Sequence, residues 1–180
     1  MKELSLNILD IAMNSVKAGA KNITISITES GDVLSIAITD DGCGMTKEQT
    51  DKLSDPFFTT RSTRKVGLGI PFFKLAAEQT GGKLEIKSIS SEDNQNNHGT
   101  TVFAFFYKNH IDFTPLGDIL STVITLIQGS PDIDFHFMHI TDDRNVCFST
   151  KEIREQLGVI PLNEPEILNW ISDYIKEQYE

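Results

Sequence analysis

The residues best suited to chemistry follow a strand that the sequence itself predicts. Leu34, Ile36 and Ile38 alternate with smaller residues and share one face of that strand, and the period of two puts Asp40 on the same face. Burying a carboxylate there is costly unless a hydrogen-bond donor meets it. The glycines of residues 40–45 (DDGCGM) allow a tight turn and a close approach, so this segment could hold an amine-bearing ring such as adenine. The alternative is an ordinary turn in which Asp40 bonds amides of its own loop.

Upstream, residues 6–18 have the spacing of a helix that Gly19 closes. Asp10 and Asn14 are four residues apart and Lys17 is another turn along, so the three side chains form one row on the helix. A carboxylate, an amide and an ammonium in a row suit a hydrated Mg²⁺ ion and phosphate oxygens, because Mg²⁺ prefers oxygen ligands and keeps several waters. The alternative is a solvated polar stripe on an amphipathic helix.

A basic, polar stretch from Asp55 to Pro71 leads through the alternate glycines Gly67 and Gly69 into a predicted helix. Free amides at a helix N-terminus that glycines precede form an anion site. The chain as a whole carries a formal net charge of -10. Against that background the local positive charge favours a polyphosphate; it comes from Arg61, Arg64 and Lys65. The alternative is a surface loop with solvated arginines.

A fourth segment, HGTTV at residues 98–102, opens a later strand. The Thr100 hydroxyl could reach the same site through water, although a Gly-Thr pair by itself indicates only a turn. His98 lies in a polar loop and receives no role of its own. The spacing of His136 and His139 on a strand puts them on opposite faces, which favours ordinary packing over a shared metal ion.

Taken in order, these four segments resemble the nucleotide-binding boxes of the GHKL superfamily, which comprises histidine kinases, type II topoisomerases, Hsp90 chaperones and MutL mismatch-repair proteins. The wording is most similar to that of histidine-kinase catalytic domains: residues 40–45 resemble the first glycine box, residues 55–61 (DPFFTTR) the phenylalanine box, and residues 67–70 (GLGI) the second glycine box. The resemblance covers about residues 4–107. It implies an α+β fold, a two-layer α/β sandwich of the Bergerat type with a mixed sheet and helices on one face, and it implies ATP and Mg²⁺ as cofactors.

Carried over residue by residue, the resemblance implies that Asn14 binds the metal and that Asp40 accepts a hydrogen bond from the adenine amino group. Thr100 would support Asp40 through water. Asp10 stands one turn before Asn14, where ATP-hydrolysing relatives usually have a glutamate, and is the expected catalytic base. Gly42 and Gly44 would shape the base pocket, Gly67, Leu68 and Gly69 would present backbone amides to the phosphates, and the further nucleotide-binding candidates are Ser15, Lys17, Arg61 and Lys65.

Composition limits the class of protein. With 180 residues, of which 39% are hydrophobic, the chain can form one full domain and a small appendage. No apolar run spans a bilayer and the N-terminus lacks the pattern of a leader, so we expect no membrane contact and a cytoplasmic location. The acidic balance argues against nucleic acid as a partner. Cys43 and Cys147 are too few for a disulfide framework.

Beyond residue 107 the resemblance ends, and we predict an ATP-binding domain at residues 1–108 followed by a small α/β extension at residues 109–180. Residues 108–113 are the expected linker. The extension should contain a helix from Thr114-Pro115 to Gly129, a two-stranded hairpin, a short helix after a capping-box pattern at Ser149 to Glu152, and a last helix from Asn163 to Tyr179.

Two functions from different classes follow from these features. In the first, which the resemblance to histidine-kinase boxes favours, the protein would be a catalytic subunit in signalling that transfers the ATP γ-phosphoryl group to a separate phospho-acceptor protein; the lack of an acceptor segment before the binding helix fits this function and the next equally. In the second, it is a nucleotide-gated binding module or slow ATPase switch, in which ATP changes the affinity for a protein partner. The extension would contact that partner or, alternatively, complete a homodimer.

Overall fold

The computed structural model describes residues 3–53 and 69–180. In chain order its elements are α1 (Leu4–Lys17), β1 (Asn22–Ser30), β2 (Val33–Asp40), α2 (Lys47–Leu53), α3 (Gly69–Gln79), β3 (Lys83–Ile89), β4 (Gly99–Tyr107), α4 (Ile119–Gly129), β5 (Asp134–Ile140), β6 (Asn145–Ser149), α5 (Thr150–Leu157) and α6 (Pro165–Glu177). Within these two ranges, no helix has both the length and the apolar character that crossing a membrane requires.

The six strands form one mixed sheet in the order β3-β4-β2-β1-β5-β6. Neighbouring strands are antiparallel except β1 and β5, which run parallel. Along β2, β5 and β6 every second residue is buried while the residues between them are more exposed, so one face of the sheet is covered. Helices α1, α3 and α6 contact the sheet, and α4 contacts both α1 and α6. The expected two-layer α/β sandwich is therefore confirmed.

Strands β1 and β2 form the hairpin that carries Asp40. In their antiparallel register Ile25 faces Ile38 and Ile27 faces Ile36, and all four side chains are almost fully buried. Asp40 ends β2 on the same face and is half-buried. The alternation of this strand thus predicts correctly that the carboxylate lies at the edge of the core.

The strands of the extension continue the sheet of the first 107 residues. β5 pairs with β1 along the length of β5, and β6 then forms the edge of the sheet. The predicted linker begins at Lys108, whose backbone amide donates to the Asp32 carbonyl at 2.7 Å and whose ammonium lies 2.9 Å from the Glu29 carboxylate. The extension therefore has no separate sheet within the described residues, and the boundary at residue 108 stays a prediction.

The first helix of the extension begins later than its sequence predicts. It starts at Ile119 rather than at Thr114. Gly117 adopts a positive φ of 78°, which leaves the helical path. Asp118 then caps the helix, because its carboxylate accepts a hydrogen bond from the Ser121 amide at 2.9 Å.

The residues before α4 bind the start of α1 instead of forming a helical turn. The Leu4 amide donates to the Pro115 carbonyl at 2.9 Å and the Ser5 amide to the Leu116 carbonyl at 2.8 Å. These bonds satisfy two of the amides that a helix N-terminus leaves without partners. The Thr122 hydroxyl in α4 also donates to the Ser5 carbonyl, at 3.3 Å. The extension is thus joined to α1 by backbone as well as side-chain hydrogen bonds.

The short helices α2 and α5 differ from what the sequence predicts. α2 is not predicted, yet Thr46 and Gln49 form a capping box before it: the Thr46 amide donates to the Gln49 side chain at 2.9 Å, and the Gln49 amide to the Thr46 hydroxyl at 3.4 Å. α5 forms where it is predicted, but the Ser149 side chain makes no capping hydrogen bond. The neighbouring Thr150 hydroxyl instead accepts from the Phe135 amide at 2.7 Å, which joins the start of α5 to the sheet.

Candidate functional site

One cavity of about 250 Å³ lies where α1, α2, α3 and β4 meet the end of β2. We call it the Asp40 cavity. Its volume is slightly below the roughly 300–1,000 Å³ that is usual for small-molecule pockets, which is room for a ring such as adenine. The lining residues are Ile11, Asn14, Ser15, Ala18, Asp40, Gly44, Met45, Leu53, Ile70, Thr100 and Val102.

The Asp40 carboxylate is held by two donors. The Ser15 hydroxyl donates to Oδ2 at 2.5 Å, and the Gly42 amide donates to Oδ1 at 2.9 Å. The second contact is the loop bond of the alternative interpretation, so Asp40 is a turn residue and a cavity residue at once. A carboxylate offers about four acceptor positions, so two hydrogen bonds leave it able to accept another from a ligand amine.

The neighbouring carboxylate, Asp41, has a different task. It accepts hydrogen bonds from the backbone amides of Lys21 (2.7 Å) and Asn22 (2.9 Å) and from the Asn22 side chain (2.7 Å). Partial burial would raise the pKa of Asp41, but these hydrogen bonds outweigh it and leave the pKa below its ordinary value. Asp41 therefore fastens the loop to the start of β1, while Asp40 lines the cavity.

The glycines of this loop are required by packing. Gly44 lines the cavity at a positive φ of 64°, and a Cβ built on it would lie 1.9 Å from the Ile89 carbonyl oxygen. A Cβ on Gly42 would lie 2.9 Å from the Ala18 Cβ. Both values are below the distance that real Cβ atoms tolerate. The two glycines thus let the loop fit between β3 and α1. Gly44 also forms part of the cavity wall, whereas Gly42 is not among the lining residues.

Thr100 stands opposite Asp40 in the β2–β4 register and lines the same cavity. Its hydroxyl is 2.8 Å from the Ser88 hydroxyl. Ser88, which sequence reasoning missed, also accepts a hydrogen bond from the Met45 amide at 2.8 Å. Ser88 therefore connects β3 and β4 to residues 41–45, which we call the glycine loop. No local pattern in β3 signals this role.

Of the three α1 side chains predicted to form one row, Asp10, Asn14 and Lys17, only Asn14 lines the cavity. Asn14 is half-buried and lines the cavity. Asp10 is exposed and lies beside the start of α3, where a Cβ built on Gly69 would be 2.7 Å from the Asp10 Cβ. Lys17 is exposed and is not among the residues that line the cavity. The Asn7 side chain, which belongs to no motif of the sequence, donates to the Gly69 carbonyl at 3.2 Å and so fixes α3 against α1.

The donor set of the cavity fits the nucleotide and the metal that the resemblance implies. Asp40 can accept from an adenine amine, and the half-buried Asn14 amide oxygen is a ligand type that Mg²⁺ accepts alongside water and phosphate. Within residues 3–53 and 69–180 no group of three or more His, Cys, Asp or Glu residues forms a metal site of its own. Gly69 begins α3 beside the cavity. The predictions for Arg61, Lys65, Gly67 and Leu68 lie outside the described residues.

Comparison with known proteins gives matches to part of the chain. Residues 1–110 match the family model described as histidine kinase-, DNA gyrase B-, and HSP90-like ATPase. The sensor histidine kinase ZraS of Escherichia coli (strain K12) is 34% identical over 83 residues, which are 45% of this chain and 18% of that protein. Sporulation kinase B of Bacillus subtilis (strain 168) is 31% identical over 102 residues, 57% of this chain and 22% of that protein. The matched part thus spans about a fifth of each of these relatives.

A solved structure is similar over more of the chain. The ATPase domain of Aquifex aeolicus MutL, complexed with ADP, superposes with a TM-score of 0.57 at 12% sequence identity. The match covers 87% of this chain and 69% of that one. At this identity it shows a shared fold alone. Because it extends well beyond residue 110, the shared fold includes part of the extension.

Proposed function

The chain belongs to the histidine kinase-, DNA gyrase B-, and HSP90-like ATPase family, and we propose that it binds ATP with Mg²⁺ in the Asp40 cavity and transfers the γ-phosphoryl group to a separate phospho-acceptor protein. The observation that carries the nucleotide part is the convergence of Asn14, Asp40 and Thr100 on one cavity. We further propose that this activity serves signalling in the cytoplasm.

The chemistry of the cavity supports a purine that donates a hydrogen bond. The exocyclic amine of adenine would donate to Asp40, whereas the carbonyl of guanine at the corresponding position would meet an acceptor and be repelled. Apolar side chains of Ile11, Ile70 and Val102 line the same cavity and would cover the faces of the ring. Asn14 would hold Mg²⁺, which when bound neutralises charge on the phosphate oxygens.

Phosphoryl transfer would need little covalent chemistry from this chain. A nucleophilic side chain of the acceptor attacks the γ-phosphorus, the bond to the β–γ bridging oxygen breaks, and ADP departs with the electron pair of that bond. The proton of the nucleophile passes to a base. Asp10, exposed beside the start of α3, is our candidate for that base, and the α3 amides from Gly69 onward would face the phosphates.

Support for the kinase assignment comes from the named relatives. ZraS and sporulation kinase B are both named as kinases, and they match this chain over 83 and 102 residues respectively. The acceptor is unidentified, and in our proposal it is a separate protein that the extension helps to bind. A second copy of this chain is the other candidate for that contact.

A specific observation favours a second candidate function, a nucleotide-gated binding module or slow ATPase switch. Asn14 belongs to α1, and α1 is hydrogen-bonded at Leu4 and Ser5 to the segment that leads into α4. A shift of α1 on nucleotide binding would therefore reach the extension directly, without phosphoryl transfer.

The test begins with calorimetry of the full chain with ATP and Mg²⁺, with GTP as the matched control. Proteins that co-purify with the chain are then incubated with it and γ-³²P-labelled ATP. We expect ATP to bind more tightly than GTP, and label to appear on one co-purifying protein.

The outcomes separate the two functions. ATP binding without labelling, together with a change in partner affinity when ATP is added, would favour the nucleotide-gated module. Release of inorganic phosphate without labelled protein would favour the slow ATPase. Absence of any ATP binding would overturn both.

A further inference from the structure

The glycine loop, which follows Asp40, is hydrogen-bonded to residues 90–98, the connection between β3 and β4. Nδ1 of His98 lies 2.6 Å from the Gly42 carbonyl oxygen. The Ser91 amide donates to the Cys43 carbonyl at 2.8 Å. A carbonyl oxygen only accepts hydrogen bonds, so the His98 proton must be on Nδ1 for this contact. His98 therefore donates a hydrogen bond to the glycine loop, although the sequence assigns it no role.

Gly42 is consequently fixed from both ends. Its amide donates to the Asp40 carboxylate at 2.9 Å, and its carbonyl accepts from His98. The next amide, that of Cys43, donates to the Ala18 carbonyl at 2.9 Å. Glycine loses more backbone freedom on folding than any other residue, so a partner on the carbonyl side matters most at such a position. Without it, the Gly42 amide could turn away from Asp40.

The chain places His98 at this point through the residue that follows it. Gly99 has a φ of 137°, and a Cβ built on it would lie 2.1 Å from the Asp40 carbonyl oxygen. Only glycine lets β4 begin this close to the end of β2. The close approach brings the preceding residue, His98, over the Gly42 carbonyl.

We propose that His98 is a positioning residue of the Asp40 cavity: by holding the Gly42 carbonyl, it keeps the Gly42 amide on the Asp40 carboxylate and the carboxylate directed at the nucleotide base. The proposal rests on the proposed function, because it assigns His98 to the same site. His98 contacts the loop and is not among the residues that line the Asp40 cavity, so in this proposal its contribution to base recognition acts through Asp40.

Three substitutions at this position separate the hydrogen bond from the bulk of the ring. In His98→Asn the side-chain nitrogen is two bonds from Cβ, as Nδ1 is in histidine, so the donor is kept. His98→Gln moves the nitrogen one bond further out, and His98→Ala removes it. We expect the Kd for ATP with Mg²⁺ to rise about tenfold in the Ala and Gln variants and to stay within about twofold of the parent in the Asn variant. His110→Ala, at an exposed histidine after β4, is the matched control.

A double-mutant cycle with Asp40→Asn tests whether His98 acts through Asp40. If it does, adding His98→Ala to Asp40→Asn raises the Kd by much less than the tenfold expected in the parent. A purely structural role would instead weaken binding by the same factor in both backgrounds, which would overturn the proposal. Thermal unfolding of every variant identifies any that fail to fold, and the Asn–Gln comparison then decides in place of the Ala variant.

The failure of this proposal differs from the failure of the proposed function. A parent protein that binds no ATP overturns the proposed function and this proposal with it. A parent that binds ATP while the Ala and Gln variants bind equally well overturns the role of His98 alone. Equal weakening in the Asn, Gln and Ala variants also overturns it, because the retained donor would then have no value.

Discussion

The Ser15 hydroxyl donates a hydrogen bond of 2.5 Å to the Asp40 carboxylate and so joins the last turn of α1 to the end of β2. Ser15 is buried and follows Asn14 directly. The bond therefore fixes the position of Asn14 relative to Asp40. Our proposal assigns Asn14 to the metal ion and Asp40 to the adenine base. The Cys43 amide, which donates to the Ala18 carbonyl at 2.9 Å, adds a second hydrogen bond between the end of α1 and the loop after β2.

Replacing Asp40 with asparagine should weaken ATP binding, because an amide presents a donor where the adenine amine needs an acceptor. A lost hydrogen bond to a charged group costs about 1–3 kcal/mol, which corresponds to roughly a 5-fold to 150-fold rise in Kd. Calorimetry of Asp40→Asn with ATP and Mg²⁺ measures this. Asp173→Asn, an exposed aspartate on α6, controls for the change of charge, and an Asp40 variant with parental affinity would contradict the assignment.

Asn14 and Asp10 should differ in what they control. Asn14→Ala removes the candidate metal ligand from the cavity, so ATP affinity should fall strongly in the presence of Mg²⁺ and little in its absence. Asp10→Asn changes an exposed residue outside the cavity lining, so binding should stay near that of the parent while turnover or phosphoryl transfer falls. Titrations with and without Mg²⁺, beside a rate measurement, separate the two effects. Equal losses of affinity would sink this division of roles.

The predictable part of this structure is what alternation and helical spacing determine locally. The buried face of β2, the position of Asp40 on it and the helix that carries Asn14 follow from the sequence, because a period of two or of 3.6 residues fixes which side chains share a face. The capping-box residues Thr46 and Gln49 also carried a local signal for α2. That helix could have been predicted from them.

The rest depends on contacts between distant residues. Alternation in β5 indicates a strand but not its partner, so the parallel pairing with β1 does not follow from the local sequence. The roles of Ser88 and His98 arise only when β3 and β4 bring them to the glycine loop. The late start of α4 has the same cause, because the backbone before it pairs with α1 in preference to forming its own helical turn.

Gly44 and Gly19 allow the cost of packing to be separated from the cost of backbone conformation. Both have positive φ, 64° and 77°, but a Cβ on Gly44 would lie 1.9 Å from the Ile89 carbonyl oxygen, whereas a Cβ on Gly19 would meet nothing within 4 Å. Gly19→Ala should therefore cost only the about 1–2 kcal/mol of a left-handed residue. Gly44→Ala should cost clearly more and should also weaken ATP binding. Chemical denaturation of both variants measures the difference, and equal costs would contradict the packing argument.

Tyr179 should make stability depend on pH in the alkaline range. Its hydroxyl is 2.8 Å from Nδ1 of the buried His139. Burial, with the nearby negative charge of Glu29, raises the pKa of Tyr179 from 10.0 to about 12. The folded state thus binds this proton more tightly than the unfolded chain does, so the contribution to stability is complete below about pH 10 and is lost as the pH rises toward 12.

The matched variant for this pH effect is Tyr179→Phe, which keeps the ring and removes the titrating group. The free energy of unfolding, measured by denaturant at about pH 8 and about pH 11, should fall less between the two conditions in Tyr179→Phe than in the parent. The comparison cancels the titration of lysines, which both proteins share. Identical pH dependence in the two proteins would mean that the proton of Tyr179 is not held more tightly on folding.

The shared sheet predicts that the extension and the ATP-binding part unfold together. Leu126 in α4 is almost fully buried, and α4 contacts α1. Leu126→Ala should cost about 2–5 kcal/mol. Thr125→Ala, at the exposed neighbour on the same helix, should cost much less.

If the first 108 residues form one cooperative unit with the extension, Leu126→Ala lowers the hydrogen-exchange protection of slowly exchanging amides in β2 and β4 by the same free energy as in β5. Fluorescence of Trp170, the single tryptophan, reports on the extension. If the two parts unfold together, its unfolding midpoint should equal that of the chain as a whole. Unchanged protection in β2 and β4 beside reduced protection in β5 would instead establish the division at residue 108 as a boundary between two independently folding units.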